Sequence, residues 1–242
     1  MFISEAVRSR PRLAFDLGCG PGFTTQLLSR TARAEKTVGV DRLEAFLDRA
    51  RASSSAVSEE FVTADVTAVP MRVEGLPGRP DLIYARFLTA HLPEPKRAIV
   101  GWTKELEAGG LLLTEELESI STRVAVFEEY LKIVSEMLAS HGNELLIGAR
   151  LATAPWDELG LEVVINRTVE VWPSAGQAAR MFSINLLTWG HDPYVVTTYP
   201  RERIEWLVAE LDELISTTET GLILCRMRQI ALRPHSTALL DT

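Results

Sequence analysis

The sequence predicts an α/β fold, a mostly parallel sheet with helices on both faces, with residues 1–242 forming one domain. Three observations lead there. From Arg12 to Gly22 an apolar run ends in Asp16, glycines follow at Gly18, Gly20 and Gly22, and the amphipathic run Phe23 to Leu28 comes next, the pattern of a strand, a tight turn and a helix. Further short apolar runs alternate with helical or turn-rich connections across the first half of the chain, as βαβ units require. Acids recur at the ends of those runs, where ligands of such sheets bind.

The first helix is expected over about 22–33. Thr37 to Asp41 is a β-branched second strand whose terminal acid stands about twenty residues beyond the glycines, the separation of a βαβ unit. Asp41 can accept hydrogen bonds from ribose hydroxyls there, or cap the helix that begins near Leu43. Phe61 to Val66 makes a third strand carrying Asp65. Pro70, Gly75, Pro77, Gly78 and Pro80 predict a short, irregular connection between Thr67 and Pro80. Asp81 to Ala85 is the fourth strand, and Lys96 to Ala108 a helix stopped by Gly109 and Gly110. Leu111 to Glu115 is a fifth strand, an apolar run of the sort that parallel sheets bury on both faces. Ser121 to His141 repeats apolar residues at helical spacing, Leu161 to Val171 alternates as a sixth strand, helices are expected over 174–188 and 200–217, and Gly221 to Leu232 is a seventh strand.

The glycine spacing bears on the ligand. A dinucleotide fingerprint counted from Gly18 needs its third glycine where Phe23 stands, which disfavours NAD. The order Asp16-x-Gly18-x-Gly20-x-Gly22 resembles the first motif of the class I S-adenosylmethionine-dependent methyltransferases. Asp41, Asp65-Val66 and the run Arg86-Phe87-Leu88-Thr89-Ala90-His91-Leu92-Pro93 resemble, in order, later motifs of the small-molecule members, so the resemblance covers about residues 10–232. It implies a Rossmann-like seven-stranded sheet of order 3-2-1-4-5-7-6 with an antiparallel last strand, S-adenosyl-L-methionine as cofactor and S-adenosyl-L-homocysteine as product. It also implies that the turn of Asp16, Gly18, Cys19, Gly20 and Gly22 passes under the methionine part of the cofactor and that Asp41, with Arg42 beside it, meets the ribose. Asp65 would then accept from the adenine amino group, the Val66 N–H would donate to a ring nitrogen, and Ala85 and Arg86 would line the cofactor.

Methyl transfer from a sulfonium is an in-line displacement with an excellent leaving group, so the protein mainly aligns the reactants and excludes water. Where the acceptor is a hydroxyl or carbon acid, a base near the methyl helps, and His91 is the first candidate because its ordinary pKa range suits neutral pH. Glu116 is the second. Glu115 and Glu116 follow the fifth strand, and strand alternation points one of them at the pocket, Glu115 being a candidate substrate contact. Arg86 could bind an acidic substrate group or pair with a strand-end carboxylate, and pairing is the expectation. About eleven residues precede the first strand, whereas many small-molecule methyltransferases carry a longer helical lid there; segments 117–150 and 172–200 are the substitutes, with Tyr130, Trp189, His191 and Tyr194 as candidate substrate contacts.

Charge bears on the partners. Lys plus Arg at 25 against Asp plus Glu at 33 gives −8, which disfavours nucleic acid and anionic lipid as partners, and the family resemblance implies a small organic acceptor, methylated at oxygen, nitrogen or carbon, in specialised metabolism by analogy. Two rivals keep the cofactor: a non-methylating rearrangement, cyclisation or decarboxylation, and a non-enzymatic cofactor-binding regulator. The two cysteines suit a reducing compartment, the scattered histidines offer no metal-ligand spacing, and Met1 to Ala6 lacks the regions of a signal peptide. No run approaches the roughly 18 apolar residues of a membrane helix. The expectation is a cytoplasmic monomer or homodimer without a metal.

Overall fold

A computed structural model describes residues 2–68 and 78–235. The irregular connection expected between Thr67 and Pro80 falls mostly outside them. Seven strands, β1 Leu13–Leu17, β2 Lys36–Asp41, β3 Glu59–Thr63, β4 Leu82–Arg86, β5 Leu111–Thr122, β6 Leu161–Val171 and β7 Ile223–Pro234, form one mixed sheet of order β3-β2-β1-β4-β5-β7-β6. Nine helices lie among the described residues: α1 Phe2–Ala6, α2 Phe23–Ala32, α3 Glu44–Ser53, α4 Pro95–Lys104, α5 Ala125–Ser140, α6 Gly148–Ala152, α7 Ala175–Trp189, α8 Pro193–Thr198 and α9 Arg201–Leu214, with a single 3-10 turn at Thr89–His91.

The chain divides into two compact units, one of Met1–Glu116, Ala149–Arg167 and Arg228–Thr242, the other of Leu117–Gly148 and Thr168–Met227. In the first, β1 pairs in parallel with β2 and β4, so that Phe15 stands opposite both Val38 and Ile83. Every residue of β1 is buried, as an apolar strand between two neighbours and two helical layers must be. Its core gathers Ala14, Leu28, Leu82, Tyr84, Leu113 and Ala231 around Phe2 and Ile3 of α1. Five residues are too few to show a helical period, so α1 is invisible to pattern reading and owes its place to the burial of those two side chains.

The second unit holds an aromatic cluster. Tyr130 of α5 stacks on Phe182 of α7 with ring centroids 4.1 Å apart, Phe127 meets Phe182 edge-on at 5.4 Å, and Trp189 leans on Tyr130 at 5.4 Å. A reciprocal capping box of Ser174 and Gln177 starts α7. Helix α8, where the sequence suggested only a joint, is started by Asp192, whose Oδ1 accepts from the Tyr194 N–H and whose Oδ2 lies 2.9 Å from His141 Nε2.

Several boundaries differ from expectation: helix α4 ends at Lys104 rather than at Ala108, α9 at Leu214 rather than at 217, and β7 spans Ile223–Pro234 rather than Gly221–Leu232. Strand β3 ends at Thr63, so Asp65 and Val66 lie beyond it rather than inside it. Strand β5 runs to Thr122 instead of stopping at Glu115, because a strand can go on alternating faces after its apolar run is broken by acids. That moves the start of the following helix from 121 to Ala125.

Candidate functional site

The site grows from Asp16. Its carboxyl is 1% exposed, held by the Thr24 and Thr25 hydroxyls, which both donate to Oδ2 at 2.7 Å, while Oδ1 has no partner. Burial pushes its pKa up to about 7; the two threonine bonds oppose this, the Asp41 charge adds to it and the Arg86 charge opposes it. The threonines stand in the first turn of α2, and Thr25 reaches Asp16 past Gly39, where a Cβ would come within 2.7 Å of its hydroxyl.

The glycine turn crosses the carboxyl end of β1. Gly18 and Cys19 donate backbone N–H bonds to the Val40 carbonyl at 2.8 and 3.1 Å, and Gly20 donates to Asp41 Oδ2 at 2.9 Å. Gly18, Gly20 and Gly22 have φ of 66°, 52° and 86°, values that side chains rarely adopt. A Cβ at Gly22 would lie 2.8 Å from that of Ala50, whereas one at Gly20 would meet nothing within 4 Å, so the turn is packed on one side and open on the other. Cys19 is buried beneath it, and burial followed by the Asp16 and Asp41 charges drives its thiol pKa far above the ordinary range, leaving it protonated and inert. Asp41 also accepts from the Leu43 N–H through Oδ1 at 2.9 Å, and Arg42 adjoins it in the chain.

The other wall is the end of β4 and the turn after it. Ala85 is fully buried, Arg86 partly so. Phe87, a bulky residue, is held at φ 54° by its N–H bond to the Glu115 carbonyl, and the Arg86 guanidinium lies over its ring, 4.8 Å from the centroid. Leu88 then packs against Gly18, with its Cδ1 2.8 Å from where a Cβ would be. Glu116, 1% exposed, clamps this turn: Oε1 accepts from the Leu88 and Thr89 N–H groups at 3.0 and 2.8 Å, and Oε2 has no partner. Burial raises its pKa to about 7 against the opposing hydrogen bonds from Thr89 and Leu88 and the Arg86 charge. The His91 side chain has an exposed surface, yet desolvation by the surrounding protein, followed by the Arg42 charge, holds its pKa below the ordinary histidine value.

Arg86 does not do what the sequence suggested. Among the described residues it forms no ion pair with a strand-end carboxylate; Asp16, Glu116 and Tyr84 feel its charge only at longer range. Both carboxyls are anchored elsewhere, Asp16 by threonines and Glu116 by backbone amides. Glu115 is likewise engaged. Tyr84 donates to its Oε2 and Gln229 to its Oε1 at 2.6 Å, and Gln229 is in turn held by Arg167, which pairs with Glu5. Asp65 is exposed, its pKa lowered by the Thr67 hydroxyl and N–H, while the Val66 carbonyl accepts from Trp102 Nε1 at 2.7 Å.

Asp16, Gly18, Cys19, Gly20, Gly22, Asp41, Ala85 and Arg86 thus stand at the carboxyl ends of β1, β2 and β4, with Glu116 on β5 one residue past the partner of Arg86. Tyr130, Trp189, His191 and Tyr194 belong to the second unit. There Tyr130 and Trp189 are buried in the aromatic cluster, with Trp189 Nε1 donating to the Tyr130 hydroxyl at 3.4 Å, while His191 is exposed and Tyr194 partly so. Thr24, Thr25, Phe87 and Thr89 were missed by the sequence reading. The paired threonines two and three residues past the last glycine are a signal that could have been read, since they stand in the first turn of the helix that faces the acid; the left-handed Phe87 leaves none.

Residues 15–114 match the family model of methyltransferase domains. That match spans less than half of the chain and agrees with the resemblance to the class I S-adenosylmethionine-dependent methyltransferases carried by the glycine turn and the strand-end acids. S-adenosylmethionine is the cofactor that this resemblance implies. The residues fit it: the open face of Gly20, the unpartnered Asp16 Oδ1 suited to an ammonium group, and a carboxylate at Asp41 one strand over. The trans-aconitate 2-methyltransferase of Methylobacterium radiotolerans is 34% identical over 112 residues, 46% of this chain and 40% of that protein. The same enzyme of Paracidovorax citrulli is 26% identical over 199 residues, 80% of this chain and 74% of that one. The chain therefore spans less than half the length of the first relative. A methyltransferase of Thiobacillus denitrificans, solved in complex with S-adenosyl-L-homocysteine, aligns with a TM-score of 0.50 at 18% identity over 96% of this chain and 89% of that one, a likeness of fold. Among the described residues no group of three or more His, Cys, Asp or Glu could hold a metal ion, and no helix is long and apolar enough to cross a membrane.

Proposed function

We propose that this protein, working as one domain in the cytoplasm, moves the methyl group of S-adenosylmethionine to oxygen, nitrogen or carbon of a small organic acceptor in specialised metabolism. One observation carries the reading: four buried polar atoms without hydrogen-bond partners, Asp16 Oδ1 on β1, Arg86 Nε at the end of β4, Thr89 Oγ1 in the turn after it and Glu116 Oε2 on β5 one residue past the partner of Arg86, belong to the end of the sheet where Gly20 presents its open face. Unpaired buried polar groups are costly, and a polar ligand that satisfies them explains their persistence.

When bound, the cofactor supplies an electrophilic methyl. The Asp16 carboxyl receives the ammonium of the methionine part, Asp41 the ribose, with Arg42 flanking it, and the Asp65–Val66 segment the adenine. A lowered pKa keeps His91 neutral near pH 7, the form that accepts a proton from an acceptor hydroxyl, and this makes it the proposed base, with Glu116 the second catalytic candidate. Glu115 is the proposed acceptor contact of the first unit, while Tyr130, Trp189, His191 and Tyr194, also offered by the sequence, belong to the second unit. The relatives' names put trans-aconitate and other small carboxylic acids first on the acceptor panel. Incubation with S-adenosylmethionine and that panel should yield a product heavier by one methyl group together with S-adenosyl-L-homocysteine, followed by mass spectrometry. Cofactor binding without any methylated product would overturn the transfer. His91→Ala should lower turnover while leaving the calorimetric affinity for S-adenosylmethionine unchanged; a loss confined to that affinity would reassign the residue.

A further inference from the structure

We propose that Arg86 is the carboxylate-binding subsite of this pocket, a guanidinium kept free of protein acids so that it can pair with a carboxylate carried in by a small-molecule ligand. The proposal rests on the cofactor-site reading above and adds the chemistry of one corner of it.

Three features of the geometry support it. Arg86 Nε is buried and without a hydrogen-bond partner, an expensive condition for a charged donor. The two acids that feel its charge, Asp16 and Glu116, are each held through one oxygen by other donors, Asp16 by Thr24 and Thr25 and Glu116 by the Leu88 and Thr89 amides, and Glu115, which stands opposite Arg86 across the sheet, is held by Tyr84 and Gln229. The guanidinium is instead placed over the Phe87 ring, which orients its flat fork without neutralising it, and Phe87 is held in the left-handed region to do so. Backbone strain beside an unpaired cation is unexplained by packing alone. It is explained if the fork must present its edge to an incoming carboxylate, which it grips through two parallel bonds.

The titratable groups around Arg86 limit what it accepts. Asp16 on β1, Tyr84 on β4 and Glu116 on β5 all sense its charge, and a dianion such as phosphate would meet the two carboxyls as well as the guanidinium. A carboxylate group brings one charge to this corner, even where the molecule, as in trans-aconitate, carries other carboxylates further along its skeleton. It has two sources in this chemistry, the amino-acid end of the cofactor and an acidic acceptor, and the same binding measurements separate them.

Calorimetry on the full chain and on Arg86→Gln, with Arg86→Lys as the variant that keeps the charge, would use S-adenosyl-L-homocysteine, 5′-methylthioadenosine, which lacks the amino-acid end, and trans-aconitate added to protein saturated with S-adenosyl-L-homocysteine. A cofactor source predicts that Arg86→Gln weakens S-adenosyl-L-homocysteine at least tenfold and leaves 5′-methylthioadenosine unchanged. An acceptor source predicts unchanged nucleoside affinities and at least tenfold weaker trans-aconitate binding. In either case Arg86→Lys recovers part of the loss. Equal weakening of S-adenosyl-L-homocysteine and 5′-methylthioadenosine, or no change for any probe, would overturn the subsite while the cofactor reading stood. A wild-type protein that bound none of the probes would overturn both.

Discussion

Asp41 does two jobs with two oxygens. Oδ2 accepts from the Gly20 N–H and Oδ1 from the Leu43 N–H, so the residue proposed for the ribose also fixes the glycine turn and the entry to α3. Asp41→Ala should therefore weaken S-adenosylmethionine binding by about 1.5–3 kcal/mol, the range for charge-assisted hydrogen bonds, and calorimetry showing unchanged affinity would contradict that role. The glycines separate fold from ligand. Gly20→Ala should cost about 1–2 kcal/mol of stability for its left-handed φ and reduce cofactor affinity, because its Cβ would project into open space. Gly22→Ala should destabilise more, since its Cβ also collides with Ala50; urea midpoints of the two variants check the order. At this scale the sequence was legible wherever one residue type is demanded by backbone, as at Gly18 and Gly20. It was illegible at Arg86, where the outcome depends on which partners the neighbouring acids choose across the sheet.

The turn after β4 is an element whose shape is dictated from another strand. Leu88 and Thr89 point two amides at one oxygen of Glu116, and the turn so held presses Leu88 onto Gly18. Glu116→Ala should leave both buried amides without an acceptor and destabilise the protein by about 2–3 kcal/mol, while Glu116→Gln, which retains a carbonyl oxygen, should cost less. Denaturant unfolding measures both, and equal losses would mean that the carboxyl acts through its charge instead. The parallel strands β1, β2 and β4 were legible because alternation with helices specifies them locally. The far end of β5 was not, since Glu115, Glu116 and Glu118 mask its continuation, and only the interstrand pairing reveals it.

Over the whole molecule, two buried acids set a pH dependence. Asp16 and Glu116 each titrate near about 7 in the folded chain, above their unfolded values of 3.8 and 4.5. Between those limits the folded state holds protons that the unfolded state has released, so stability is greatest below about pH 4 from these two groups and declines as pH rises to about 7, by about 1.4 kcal/mol per pH unit for each carboxyl. Asp16→Asn should flatten its share of that slope in urea titrations at pH 5 and pH 8; an unchanged slope would show that Asp16 is ionised in the folded protein. The strand order was readable because the resemblance to a known family supplied it. The residues of β5, β6 and β7 that pass from one compact unit to the other were not, because nothing in local pattern marks where contacts regroup.

The adjacent acids on β5 have a consequence for any length change in the gene. Removing one codon between Leu111 and Thr114 slides Leu117 into the slot of Glu116, so the Leu88 and Thr89 amides face an alkyl group, while Tyr84 and Gln229 still find a carboxylate. Adding one codon does the reverse: Glu115 arrives opposite the amides and Thr114 opposite Tyr84 and Gln229. An insertion there should thus spare the cofactor loop and loosen the opposite layer, and a deletion should do the opposite, an asymmetry that paired frameshift-free variants would expose.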